Sequence, residues 1–198
     1  MSALATETGL ELAATWPRWR SRLRFDEESS IIAEAQRGSA DAIEHIVRYH
    51  WPRAHRTAYL IVHDGSVAED IAQESMMAAL GALDRFDRRR RFAPWLHRIV
   101  VNNALGWARS RSRRPELSSE HVRFEQVAVE REPDVSTHLL ETLRALEPDQ
   151  RAVVVLRHLL GYSPREIGRM LDLPTGTVNS RLRRALDRMG ELLGEEMS

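Results

Sequence analysis

Along most of the chain, apolar residues recur three and four positions apart, the spacing that lines one side of a helix. The pattern starts near Ser30, breaks at Gly38-Ser39, and resumes with Ile43, Ile46, Val47, Ala54, Ala58, Ile61 and Val62. Gly38-Ser39 reads as a stop followed by a new N-cap. Pro52 should start or kink a helix, because it lacks the N–H and its ring crowds the preceding turn. His63-Asp64-Gly65 reads as a turn. Ser66 and Glu69 have the spacing of a capping box ahead of the next helix. In that helix Ala72, Met76, Ala79, Leu80 and Leu83 make a core stripe. Asp70, Gln73, Glu74 and Met77 make a second stripe, polar with one Met, which suits a partner surface as well as a solvated face.

A charged break follows from Asp84 to Arg91. Pro94 then fits the first position of a helix carrying Trp95, Leu96, Ile99, Val100 and Trp107. Trp95 and Trp107 read as core, whereas Phe86 and Phe92 are open between core and surface. Arg98, Asn102 and Arg109 lie near one side of this helix, which ends by Pro115. Leu139, Leu140, Leu143 and Leu146 predict another helix, closed by Pro148, and Asp149 can cap the next, which ends at Gly161. Ser163 and Glu166 form a second capping box with Pro164 at its first position. Ile167, Met170 and Leu171 give this short helix an apolar face. After the turn Asp172-Leu173-Pro174, Thr175 or Thr177 caps a helix running to about Leu193. Its buried stripe is Val178, Leu182, Ala185, Leu186 and Met189. A second stripe holds Thr177, Ser180, Arg181, Arg184 and Arg188, with Asn179 and Arg183 beside it. A short helix, a tight turn and a longer basic helix is the helix-turn-helix pattern, whose second helix fits the major groove.

The expected fold is therefore all-α: two small helical domains joined by an acidic flexible linker. Residues 1–29 form an N-terminal extension, residues 30–115 the first domain, 116–136 the linker and 137–198 the second domain. The extension interleaves Trp16, Trp19 and Phe25 with arginines and reads as a mobile tail, with an arm that docks on a partner as the competing reading.

Composition narrows the chemistry. Of the 198 residues 42% are apolar, too many for a wholly disordered chain. No apolar run approaches the roughly 20 residues that cross a bilayer, and no secretory signal opens the chain, so the cytoplasm is the expected compartment, with no membrane insertion. With no cysteine there is no disulfide framework, thiolate nucleophile or thiolate metal site. His45, His50, His55 and His63 share one helical stretch, but they lack metal-ligand spacing. Neither a metal nor another cofactor is expected, and no catalytic residue.

The net charge is zero, yet it is segregated. All 29 basic residues are arginine, which binds phosphate bidentately and stacks on bases. Residues 85–114 hold ten arginines against Asp87 alone, a charge of +9; residues 116–134 carry six acids against two arginines, −4; residues 165–188 carry six arginines against three acids, +3. Two basic blocks flanking an acidic one form an electrostatic footprint for a polyanion.

Residues 31–190 resemble the extracytoplasmic-function sigma factors, the compact two-domain group of the sigma-70 family of bacterial RNA polymerase subunits. Three motifs carry the resemblance, in the family's order. Ala68-Glu69-Asp70-Ile71-Ala72-Gln73-Glu74 is similar to the helix that binds the polymerase clamp. Phe92-Ala93-Pro94-Trp95-Leu96-His97-Arg98-Ile99, with Asn102 and Arg109, is similar to the segment that melts and reads the minus-ten element. Leu146-Glu147-Pro148-Asp149-Gln150-Arg151, Ser163-Pro164-Arg165-Glu166-Ile167-Gly168 and Gly176-Thr177-Val178-Asn179-Ser180-Arg181-Leu182 resemble the domain that reads the minus-thirty-five element.

The resemblance implies a binding protein with core RNA polymerase and promoter DNA as partners, and an anti-sigma factor that holds the free protein. Asp70, Gln73, Glu74 and Met77 would bind the polymerase. Arg85, Phe86, Arg88, Arg89, Arg90, Arg91, Phe92, Arg98, Asn102 and Arg109 would meet the minus-ten DNA. Arg165, Thr177, Asn179, Ser180, Arg181, Arg183, Arg184 and Arg188 would meet the minus-thirty-five DNA. The acidic linker would thread a basic polymerase channel, or serve as a plain tether. Four departures stand out. Gly168 replaces the usual Ala, at an expected cost of about 1 kcal/mol of helix stability. Asn179 replaces a common Lys, Gly106 a frequent acid, and the Arg88–Arg91 run is unusually basic. The rival reading is a helix-turn-helix regulator with a helical sensory domain, binding duplex DNA without polymerase.

Overall fold

A computed structural model describes residues 24–112 and 137–196, which divide into two compact units at residues 110 and 111. Among the described residues every regular element is helical. The expectations for residues 1–23 and for the linker 116–136 lie outside the described residues.

The first unit comprises α1 (Phe25–Gln36), α2 (Ala40–Val62), α3 (Gly65–Gly81), a 3₁₀ turn at Leu83–Arg85, and α4 (Phe92–Ser112). α1 packs on α2, and α2 on α3. Asn103 of α4 reaches α3, where its Nδ2 donates to Ser75 Oγ at 3.0 Å. The core is built from Ile32, Ile46, Ala58, Ile61, Ala72, Met76, Leu96 and Val100, all buried. Small residues at Ala54, Ala58, Ala68, Ala72 and Ala79 leave little side chain between the helices, so the backbones can approach closely.

Several local expectations are corrected. α1 begins at Phe25, so residues 25–29, expected in the extension, belong to the first unit. α2 stays helical through Pro52 instead of restarting there. The lost bond costs about 3 kcal/mol in an isolated helix, but Ala54, Thr57, Ala58 and Ile61 beyond it are buried against neighbours that hold the segment helical. The N-cap of α3 is Asp64, whose carboxylate accepts the Val67 N–H at 3.1 Å, so Ser66 and Glu69 fall inside the helix and do not cap it. His63 adopts the left-handed conformation and closes α2. α4 starts at Phe92, two residues before Pro94.

The second unit comprises α5 (Thr137–Arg144), α6 (Pro148–Val154) ending in a π turn at Val155–Leu159, α7 (Pro164–Leu171) and α8 (Thr175–Glu196). Glu147 is the N-cap of α6 and Pro148 its first residue, so the cap lies two positions earlier than expected and Asp149 falls inside the helix. Gly161, at φ 75°, ends the segment. The Ser163 and Glu166 capping box is present, with reciprocal bonds of 3.3 and 2.8 Å. α5, α6 and α7 all pack on α8 through Leu143, Val153, Ile167, Val178, Ala185 and Met189.

Candidate nucleic-acid interface

The two stripes of α3 separate as their spacing predicts. Ala68, Ile71, Ala72, Ser75, Met76 and Ala79 are buried, and Asp70, Gln73, Glu74 and Met77 are exposed. Met77 is the large apolar side chain left in solvent among the described residues, 65% exposed. The result is a carboxylate face with an uncharged, polarizable centre.

Past α3 the chain alternates between inside and outside. Leu83, Phe86 and Phe92 are buried, while Asp84, Arg85 and Asp87–Arg91 are exposed. Phe86 and Phe92 sit in an aromatic cluster, with ring centroids 5.6 Å apart and Trp95 at 4.9 and 5.4 Å from them. Phe92 is 0% exposed and Phe86 9%. Both rings, expected to meet minus-ten DNA, are packed inside the unit, Phe92 fully and Phe86 nearly so. Trp95 and Trp107 are half-buried. The arginine run folds back on its one internal acid: Asp87 accepts from the Arg89 backbone at 3.0 Å and from Arg89 Nε at 3.2 Å. Those bonds hold the Asp87 carboxyl below its ordinary range.

On α4, Arg98, Asn102 and Arg109 are exposed, and so is Gly106 between them. Positions 98, 102, 106 and 109 fall within about 80° of one another around a helix of 3.6 residues per turn. The neighbouring Asn103 is half-buried and works as a strut to α3.

Beneath the loop lies a buried polar group. Glu28 of α1 faces His50 of α2, with Oε1 3.6 Å from Nε2, and the His50 ring packs on Phe92 at 4.9 Å. Burial pushes the Glu28 carboxyl up, against a bond from the Phe92 backbone and the charges of Arg91 and Arg53. Burial, with His97, Arg53 and His45 nearby, drives His50 down to about 3, and His97 lies at about 4 through burial and Arg53. With His50 neutral, the contact with Glu28 is not an ion pair, and its length is beyond a hydrogen bond. Among the described residues no group of three or more potential ligands is arranged to hold a metal ion.

In the second unit α7, its turn and α8 form the helix-turn-helix. Asp172 takes the left-handed conformation, φ 55°, and the Leu173 N–H donates to the Gly168 carbonyl at 2.8 Å. A Cβ on Gly168 would lie 2.6 Å from the Leu173 carbonyl oxygen. Gly168 therefore does more than weaken its helix: in this chain the Leu173 backbone occupies space that a Cβ would need. α8 starts at Thr175, with the Val178 N–H donating to the Pro174 carbonyl at 3.1 Å, so both threonines lie inside the helix and do not precede it as caps.

Not every arginine of α8 is available. Arg183, Arg184 and Arg188 are exposed, as are Asn179 and Arg165, and Arg188 donates to Glu191 Oε2 at 3.0 Å at the surface. Arg181 is half-buried beside the core stripe and pairs with Asp149 of α6 at 3.2 Å. Thr177 and Ser180 are half-buried, and the Ser180 hydroxyl donates to the Thr177 carbonyl at 2.9 Å. Arg151, carried by a motif of the DNA-reading domain, is buried: its guanidinium donates to the carbonyls of Leu143, Arg144 and Leu146 at 2.8 to 3.0 Å. The Leu143 carbonyl also accepts the Leu146 N–H at 3.2 Å, and the other two carbonyls lie at the end of α5 and in its following turn, where intrahelical partners run out. Burial lowers its pKa to about 10, so it stays charged at neutral pH.

Each unit contains a match to a known family. Sigma-70 region 2 matches residues 46–114, and Sigma-70 region 4 matches residues 137–189. RNA polymerase sigma factor CarQ of Myxococcus xanthus is 30% identical over 161 residues, covering 80% of this chain and 92% of its own. This chain belongs to the extracytoplasmic-function sigma factors. The sigma factor is also similar to SigM of Mycobacterium tuberculosis strain H37Rv, 32% identical over 169 residues, covering 84% of this chain and 85% of that one. Among solved structures it is similar to CnrH in complex with the cytosolic domain of CnrY, with 27% identity and a TM-score of 0.63 over 85% of this chain and 97% of that one. It is similar also to the sigma factor RpoE in complex with the anti-sigma factor NepR from Bartonella quintana, with 26% identity and a TM-score of 0.62 over 76% and 96%. A regulator with a helical sensory domain does not account for region 2 in the first unit of this sigma factor.

Sequence reading missed the structural roles of Glu28, Gln36 and Arg151, and of Asp149 as the partner of Arg181. Gln36 Nε2 donates to the carbonyls of Leu83 and Phe86, 47 and 50 residues away, at 2.9 and 3.0 Å. No local pattern signals a bond across that separation.

Proposed function

We propose that this sigma factor grips core RNA polymerase with the α3 face Asp70, Gln73, Glu74 and Met77, and promoter DNA with two guanidinium surfaces. The first surface is the loop Arg85–Arg91 with Arg98, Asn102 and Arg109 of α4, taking minus-ten DNA that opens. The second is Arg165 with Asn179, Arg183, Arg184 and Arg188 of α8, taking duplex minus-thirty-five DNA in the major groove. The observation that carries this reading is the segregation of exposed chemistry within the first unit. Carboxylates with a bare Met occupy α3, and guanidiniums occupy the loop and the outer stripe of α4. A surface for one polyanion would not be divided this way.

Opening DNA costs a few kcal/mol per unstacked base. Arginines that capture the separated strand offset it, and two DNA-binding modules on one chain add avidity when both sites are engaged. The chain supplies no catalytic residue, and nucleotide transfer belongs to the polymerase. It acts in the cytoplasm, where transcription occurs; among the described residues no helix is long and apolar enough to cross a membrane. We infer an anti-sigma partner as well, supported by the relative RpoE, which is held with NepR. Run-off transcription with a bacterial core polymerase tests the reading. Added chain should create promoter-specific starts, and identical starts with and without it would overturn the proposal.

A further inference from the structure

The arginine loop is short, strongly charged and fixed at both ends by the same helix. At its entry, Gln36 Nε2 donates to the Leu83 and Phe86 carbonyls. At its exit, the Glu28 carboxyl lies close enough to the backbone of Phe92, the first residue of α4, for that N–H to draw its pKa down. That N–H is one of the four that a helix start leaves without an internal partner, and a carboxylate is favoured there by the helix dipole. Between the anchors, Arg91 lies over the Phe25 ring at 5.6 Å. Phe25, Glu28 and Gln36 fall within about 80° around α1 and extend along about 16 Å of it. A single rigid helix therefore sets where Asp87–Arg91 begins and ends.

We propose that α1 is the positioning element for promoter opening, with Gln36 at the entry and Phe25 and Glu28 at the exit of the Asp87–Arg91 loop, so that its guanidiniums meet DNA already arranged. This rests on the reading of that loop as a DNA-opening surface. Four successive arginines repel one another and, left to themselves, would spread over many conformations. Anchoring both ends removes that freedom before DNA arrives, so less ordering cost falls on the binding step. Glu28 and Gln36 touch no DNA in this scheme and act through the loop backbone.

The test compares two templates in run-off transcription by the full chain with core polymerase: an intact duplex promoter, and the same promoter with a pre-opened mismatched bubble. Gln36→Ala and Glu28→Ala should each lower duplex transcription about tenfold, the effect of losing one or two anchoring hydrogen bonds. On the bubble template both should stay within about twofold of wild type, since ordering for strand opening is no longer needed. Glu28→Gln, which keeps an acceptor oxygen for the Phe92 N–H, should restore duplex transcription. Equal losses on both templates, wild-type activity of both Ala variants on duplex, or a Glu28→Gln defect as deep as Glu28→Ala would overturn the proposal. Should Glu28→Ala not fold, as read by helical circular dichroism, Gln36→Ala at a half-buried position carries the same comparison. An Arg88→Ala/Arg90→Ala variant separates the two ideas. If it opens duplex normally, the reading of the loop fails and the brace with it; if it is defective while both brace variants are normal, the brace alone fails.

Discussion

Gly168 and Leu173 hold the helix-turn-helix closed: the Leu173 N–H donates to the Gly168 carbonyl at 2.8 Å, and the Leu173 carbonyl oxygen stands 2.6 Å from where a Gly168 Cβ would be. The contact is between backbone and backbone, so no flexible side chain can swing aside.

Gly168→Ala should therefore destabilise the second unit although it raises helix propensity. The propensity gain is about 1 kcal/mol. Overpacking against fixed backbone costs about 1–3 kcal/mol, and here the clash should win. Denaturant unfolding followed by circular dichroism decides it, and a variant as stable as wild type or more so would contradict the closed turn.

Arg184 and Arg181 should behave differently although both sit on α8. Arg184→Ala removes an exposed guanidinium and should weaken promoter binding by about 1–3 kcal/mol if it reads a base, or lower the salt slope by about one if it meets phosphate. Arg181→Ala breaks the pair with Asp149 at 3.2 Å and should act mainly on how α6 and α8 are held together. Its salt slope should stay near wild type, because a charge already paired with protein releases few counterions from DNA. Binding titrations at several salt concentrations check both.

Glu74→Arg should abolish association with core polymerase and leave the fold intact. Glu74 is exposed on the face of α3 opposite Ala72 and Met76, so the reversed charge meets nothing inside the unit. Co-purification with core polymerase is the readout, and retention of the variant at wild-type levels would contradict the docking face.

The first unit should lose stability as pH falls from about neutral towards 4. His50 and His97 are held near 3 and 4 in the fold, against an ordinary value of 6.5. Between those limits the unfolded chain takes up protons that the folded one refuses, and each histidine contributes a slope of up to about 1.4 kcal/mol per pH unit. Glu28 is displaced upward and works the other way: the stability it adds is present below its ordinary 4.5 and lost as pH rises through its folded value. Two histidines against one carboxylate set the sign, and the surrounding Arg53, Arg91 and His45 make a further positive charge less welcome still. Tryptophan fluorescence of a Trp16→Phe/Trp19→Phe chain reports on this unit, because the remaining Trp51, Trp95 and Trp107 all lie in it. A midpoint that is flat or higher at pH 5 than at pH 7.5 would rule the account out.

The helices and their inner faces were legible because burial imposes a period that the sequence must repeat. Ala72, Met76, Ala79 and Val178, Leu182, Ala185 needed no structure to be recognised as core. The candidate surfaces on α3 and α8 were legible as the complementary stripes. Local chemistry misled where a competitor stood close by. Asp64 took the cap that Ser66 and Glu69 seemed to form, and Phe92 looked available to DNA because it stands beside four exposed arginines. What stayed hidden was every bond between distant positions. Gln36 to Phe86 and Arg181 to Asp149 leave no period behind, and Gly168 could be judged only once the Leu173 carbonyl had a place.

The buried guanidinium of Arg151 extends this to substitution. One planar fork reaches three carbonyls that diverge from the end of α5, and a lysine there would keep the positive sign while offering a single tip on a limber stem. Directional reach matters at this joint as much as electrical sign, so at least this arginine owes its identity to carpentry within the protein and none of it to the nucleic acid outside.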